Sequence, residues 1–171
     1  MASSMSTNMI LVLILLCAMA VNSIANFDHL PKEEETYLNF YLHYNFIGSN
    51  TTAVSIVKGP TNKPPFFGNI IVSDSPMTTG PRLESKLIGR GQGFSVGVSK
   101  ENFNFLNTIN LAFIQGSYKG SSLTIQLQTK GEVSVIGGTG RFRLARGFGN
   151  VKAASFPNSL KFNVFVLHAS C

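Results

Sequence analysis

The chain of 171 residues has no tryptophan, two cysteines and eight acidic residues. Each shortage removes a class of explanation. Cys17 lies in an apolar run near the start and Cys171 is the last residue, so the body of the chain has no cysteine pair for a disulfide framework. Asp28, Glu33, Glu34 and Glu35 are bunched near the start, leaving Asp74, Glu84, Glu101 and Glu132 for everything after them. His29, His43 and His168 stand far apart; the last two could meet across a barrel, but a metal would want a third ligand. A hydrogen-bonded structural role suits them better, and neither metal nor cofactor is expected. No nucleophile constellation is legible, and no stretch carries a convincing helical period.

What is present begins with an apolar run, Met9 to Ala20, too short to span a bilayer comfortably. Ser23-Ile24-Ala25 follows, with small residues at the two positions a signal peptidase reads. This predicts a secretory signal over residues 1–25, with an uncleaved anchor as the alternative, an acidic flexible leader over 26–35 and one domain over 36–171. No second membrane-spanning candidate follows. Asn50-Thr51-Thr52 is an N-glycosylation sequon, consistent with a surface loop in a secreted protein. Every lysine and arginine except Lys32 lies beyond the leader, so the body is basic. Nucleic acid fits a secreted protein poorly, and an acidic cell-wall polysaccharide is the better polyanionic partner.

Beyond the leader the period is two. Leu38, Phe40, Leu42 and Tyr44 alternate with Tyr37, Asn39, Tyr41 and His43. Further strands are read at 53–57, 67–74, 87–98, 103–115, 123–128, 132–136, from Phe142 onwards, and 160–167, separated by Gly, Pro and Asn turns. Glycines at 89, 91, 93 and 97 strip side chains from one face of the 87–98 strand, as at a barrel corner or a close approach. About eight strands with no helix predict an all-β fold, an eight-stranded antiparallel β-barrel, because several strands are apolar on both faces.

The segment Gly137 to Gly149 concentrates Arg141, Arg143 and Arg146 among five glycines and no acid. The pattern Gly138-Thr139-Gly140 lacks the third glycine of a dinucleotide fingerprint, and no helix follows to hold a phosphate. It reads as a tight turn feeding a strand, and the arginines' partners are not local. Fourteen phenylalanines supply a core, with some left to line an apolar cavity in which Arg90, Arg143 and Arg146 are the natural polar groups.

The segments Phe40-Tyr41-Leu42-His43, 67–72, 87–94, 137–147 and 163–168 together resemble the plant dirigent family in order and spacing. The resemblance implies an extracellular eight-stranded barrel, similar to allene oxide cyclases, that assembles as a homodimer or homotrimer. It implies no oxidation by the protein itself: a separate laccase or peroxidase makes phenoxy radicals from a monolignol, and the barrel directs their stereoselective coupling to a lignan in the apoplast. On the matching positions it implies Arg146 as the pocket arginine, with Asp74 and Arg90 in family motifs. Arg146 and Asp74 are the expected catalytic residues, Arg90 a contact for phenol oxygens, and Tyr41, Phe94 and Phe103 the candidate aromatic walls of the substrate site. The sequence departs from the family where acids are usual, with Tyr44 after the first-strand histidine and Arg141 after the glycine turn. Two alternatives stay open. One is a non-catalytic cell-wall or carbohydrate-binding defence protein on the same barrel; the other is an isomerase or dehydrating cyclase that would rely on Asp74.

Overall fold

The computed structural model describes residues 31–60, 63–128, 131–154 and 158–170. The expected signal over 1–25 and the leader up to residue 30 lie outside them. Nine strands follow in chain order: β1 (Glu33–His43), β2 (Ala53–Val57), β3 (Ile70–Thr78), β4 (Leu87–Gly97), β5 (Phe105–Phe113), β6 (Ser122–Leu127), β7 (Glu132–Thr139), β8 (Arg146–Ala153) and β9 (Ser159–Ala169). All pairings are antiparallel, in the order β1-β9-β8-β7-β6-β5-β4-β3. The ring closes where Tyr41 and Leu42 of β1 pair with Thr78 and Met77 of β3. Eight strands therefore form the barrel, and β2 extends along the free half of β3 from Ala53 opposite Ser73 to Val57 opposite Ile70.

Alternation sets which side chains enter the barrel. Leu38, Phe40 and Leu42 of β1 meet Phe162, Val164 and Val166 of β9 inside it, with the Phe40 and Phe162 rings stacked at 5.1 Å. Leu111, Leu123, Ile125 and Val133 complete a fully buried floor. The alternate glycines of β4 also point inward. At Gly91 an added Cβ would stand 2.8 Å from a Leu42 methyl, so the side chain missing from β4 is replaced by one from β1.

One end of the barrel is plugged. Thr139 leads into a single 3-10 turn, Gly140–Phe142, with Gly140 at φ 61°, a left-handed conformation that favours glycine. The turn drives Phe142 inward until it is fully buried among Phe113, Tyr118 and His168, at ring distances of 5.3, 5.0 and 5.4 Å. His168 Nε2 shares a hydrogen bond with Thr36 Oγ1 at 2.9 Å, and His43 Nε2 with Thr78 Oγ1 at 2.7 Å.

Two sequence expectations change here. Phe142 and Leu144 do not begin a strand: β8 starts at Arg146, and Leu144 is exposed with φ 58°. Glu33, Glu34 and Glu35, read as leader, are the first residues of β1 because β9 runs far enough to pair with them, through Ala169, His168 and Leu167.

Candidate functional site

At the other end of the barrel the described residues leave space unfilled. Two adjoining apolar cavities of about 700 and 530 Å³ lie there and share Ser95, Asn107, Leu127, Ala153 and Leu160. The larger is walled by Phe66, Phe103 and Phe105, whose rings touch edge-on or tilted at 6.1 and 5.4 Å through Phe103. Tyr44, Phe46 and Phe162 line the smaller.

Local sequence explains the space. Gly93 and Gly97 flank Ser95 on the inward face of β4, so no bulky side chain fills this part of the lumen. Gly97 also accepts the close approach of the Phe66–Asn69 segment, exchanging hydrogen bonds with Gly68 and Asn69 at 2.9 Å each. A Cβ on Gly97 would collide with the Phe66 carbonyl. That segment carries Phe66 to the cavity wall.

The polar groups inside are few and held in place. Ser95 Oγ donates to Asn107 Oδ1 at 2.5 Å. The Asn107 amide donates to the Phe105 and Leu127 carbonyls at 3.1 and 3.3 Å, which fixes its orientation. Each oxygen of the pair keeps accepting capacity, and both residues line the two cavities. Lys58 and Lys152 lie along the larger cavity, and among the described residues its lining holds no acid, histidine or arginine. The Tyr44 hydroxyl has no hydrogen-bond partner among the described residues. Burial pushes it up to about 12, so it remains a proton-bearing donor at any pH the protein meets.

Most side chains expected in the pocket lie elsewhere. Arg146 is on the outer wall, its guanidinium forked onto Glu33 with contacts of 2.5 and 2.8 Å. That hydrogen-bonded pair holds the Glu33 carboxyl below its ordinary range and raises Arg146. Arg141 reaches Glu34 at 3.8 Å, so two of the clustered arginines find their distant partners in the first acids of β1. Asp74 and Arg90 also point outward and pair with each other, Arg90 Nε to Asp74 Oδ1 at 2.5 Å and Nη2 to its carbonyl at 3.0 Å. Tyr41 and Phe94 face out from β1 and β4, and Phe94 is 45% exposed. Of the six, Phe103 alone lines the cavity.

Sequence reasoning passed over Ser95 and Asn107, although a signal existed. Asn107 is the polar residue on the Phe105, Ile109, Leu111, Phe113 face of β5, an anomaly on an inward surface. Gly93-Phe94-Ser95-Val96-Gly97 also spells the Gly-x-Ser-x-Gly pattern of a nucleophile elbow. Here it runs mid-strand rather than at a strand-to-helix turn, and Ser95 is bonded to an amide rather than to a base. The serine is a hydrogen-bonding group, not a nucleophile.

Asn50 stands exposed in the turn between β1 and β2. The outer wall of β2 to β4 exposes Val54, Ile56, Val72 and Phe94.

The family model described as dirigent-like protein matches residues 35–168. Dirigent protein 15 of Arabidopsis thaliana is 39% identical over 136 residues, covering 72% of each chain. Pterocarpan synthase 1 of Glycyrrhiza echinata is 32% identical over 151 residues, covering 80% of each. Among solved structures, the pterocarpan synthase dirigent protein GePTS1 is 28% identical with a TM-score of 0.72, covering 84% of this chain and 90% of that one.

Proposed function

The chain belongs to the dirigent family, and from that premise we propose that it binds phenoxy radicals or quinone methides derived from monolignols and imparts stereoselectivity on their coupling to lignans. It does not oxidise them; a separate laccase or peroxidase supplies the radicals. The observation that carries this reading is the pair of adjoining apolar cavities with aromatic walls and one fixed polar pair between them. Their volumes fall in the range of about 300–1,000 Å³ usual for small-molecule sites.

Radicals couple readily without help, so the protein's contribution is orientation. One phenylpropanoid unit in each cavity, meeting over Ser95, Asn107 and Leu127, would present one face of each ring system to the other. Lys58 supplies positive charge for a phenolate oxygen, and Tyr44 donates a hydrogen bond to a phenol or quinone oxygen in the smaller cavity. The test is oxidation of coniferyl alcohol by a laccase with and without the protein, read by chiral chromatography. An excess of one enantiomer only when the protein is present supports the proposal, and a racemic product in both refutes it for this substrate.

The relatives named pterocarpan synthases favour a second reading, in which the same cavities take a closed-shell phenolic intermediate and assist loss of water. In that version Tyr44 or Lys58 is the proton donor, because Asp74 is held outside by Arg90. Secretion into the apoplast, a glycan on Asn50 and a homodimer or homotrimer complete the proposal. The apolar wall of β2 to β4 suits a second copy, and sedimentation of the secreted protein distinguishes monomer from oligomer.

A further inference from the structure

The outer face of β1, β9 and β8 carries three aligned rows of side chains, set by strand register. Tyr37, Phe165 and Phe148 are partners across the three strands, as are Asn39, Asn163 and Asn150, and then Tyr41, Lys161 and Lys152. The rows lie two residues apart along each strand, so all project to the same side. Of these nine residues Lys152 also borders the larger cavity and Lys161 does not, so the two sites meet at that one lysine.

Each row holds something that a finished protein surface would not need. In the first, the rings touch at 5.0 and 5.6 Å yet Tyr37 remains 71% and Phe148 63% exposed. In the second, Asn163 Nδ2 donates to Asn150 Oδ1 at 3.0 Å, which orients both amides. That leaves the Asn163 oxygen, the Asn150 amide nitrogen and the whole Asn39 amide without a partner among the described residues. In the third, two lysines face each other directly across the strands, an arrangement that costs stability unless an anion offsets it. Neither lysine has an acid partner among the described residues, and Glu132, opposite Asn150, forms no ion pair with them. A shallow depression of about 240 Å³ lies between the aromatic and amide rows.

We propose that this face binds an extended acidic polysaccharide, a chain of uronic acid residues. The C–H faces of its sugar rings lie on the exposed rings of Tyr37 and Phe148, its hydroxyls bond the asparagine amides, and its carboxylates sit at Lys161 and Lys152. The like-charged lysine pair selects an anionic chain over a neutral one, and the ordered mixture of amide donors and acceptors selects hydroxyl-rich partners over apolar ones. A second copy of the chain suits the face less well, because the centres of protein interfaces are depleted in lysine. The proposal is separate from the coupling reading and would stand if that reading failed.

The experiment is affinity electrophoresis of the secreted protein through gels containing polygalacturonate, its methyl ester or a neutral β-glucan, at rising NaCl. Polygalacturonate should retard the protein most, the ester less, and salt should weaken the retention. Tyr37→Ala and Lys161→Gln should each lower apparent affinity by about tenfold, as loss of one aromatic contact or one charge-assisted bond implies. Lys119→Gln, on an exposed lysine in the β5–β6 turn, should change it less than about twofold. The proposal is overturned by absence of retardation, or by an equal effect of Lys119→Gln, which would indicate diffuse charge. It is equally overturned if Tyr37→Ala dissolves an oligomer in sedimentation while retention is unchanged.

Discussion

Replacing Phe142 with alanine tests whether the glycine-arginine segment is a plug rather than a site. The Phe142 ring is fully buried and lies between 5.0 and 5.4 Å from the rings of Tyr118, Phe113 and His168. Those neighbours belong to β5, β9 and a turn, and none can collapse into the space without breaking its own contacts. Truncation of such a residue costs about 3–5 kcal/mol, the lost burial plus the cavity left behind. Against a total stability of about 5–15 kcal/mol this is a large fraction. With a urea slope of about 1–3 kcal/mol per molar, the midpoint should fall by about 2 M. Far-UV circular dichroism reads the transition, supported by tyrosine emission, which no tryptophan masks. Phe148→Ala, on the exposed outer wall, should shift the midpoint by no more than about 0.5 M. Equal shifts for the two variants would refute the plug.

Three further outcomes follow from the geometry. Asp74→Asn should cost less than about 1 kcal/mol, because the Arg90 pair is half-exposed, and should leave product stereochemistry unchanged. A loss of selectivity in that variant would return Asp74 to the site. Acidification should weaken the fold through His43. Its partner Thr78 donates its only hydroxyl proton to the Gly80 carbonyl at 2.8 Å, so His43 Nε2 is the donor in their shared bond. Burial lowers the His43 pKa, partly countered by Glu84. The unfolded chain then binds the proton first, so this stability is complete above about pH 6.5 and is lost as pH falls through the lowered folded value. His43→Gln should flatten the dependence of melting temperature on pH between 7 and 5, and an unaltered slope would count against the assignment. Asn50→Gln should abolish the mobility shift that glycosidase treatment gives the secreted protein.

Much of the fold was legible because antiparallel strands with one buried face declare themselves by period. Leu38, Phe40 and Leu42 of β1, and Leu123, Ile125 and Leu127 of β6, enter the core as alternation predicts. The Gly91 and Gly97 positions also meant what glycine in a strand suggests, a close approach by another part of the chain. The site was less legible, and the reason is register. With side chains alternating, an irregular turn that breaks the count sends every later residue to the opposite face. A strand beginning at Phe142 would carry Arg146 on the same side as the buried ring. The 3-10 turn and the left-handed Leu144 break that parity, so Phe142 goes in and Arg146 goes out. The Glu33 partner adds a second reason, since a contact between residues 113 apart leaves no local trace. Tyr44 illustrates the converse. Its position mattered, but only the cavity beside it shows that a phenol there can still donate a hydrogen bond.

The central claim is that the lumen between β4, β5 and β9, not the arginine-rich outer wall, controls the coupling. The most direct measurement compares enantiomeric excess in laccase-driven coniferyl alcohol coupling for two folded variants, Ser95→Leu and Arg146→Ala. Leucine at position 95 fills the junction of the two cavities and removes the hydroxyl that bonds Asn107. The account predicts a racemic product with Ser95→Leu and undiminished selectivity with Arg146→Ala; selectivity that survives the first change and collapses with the second would contradict it.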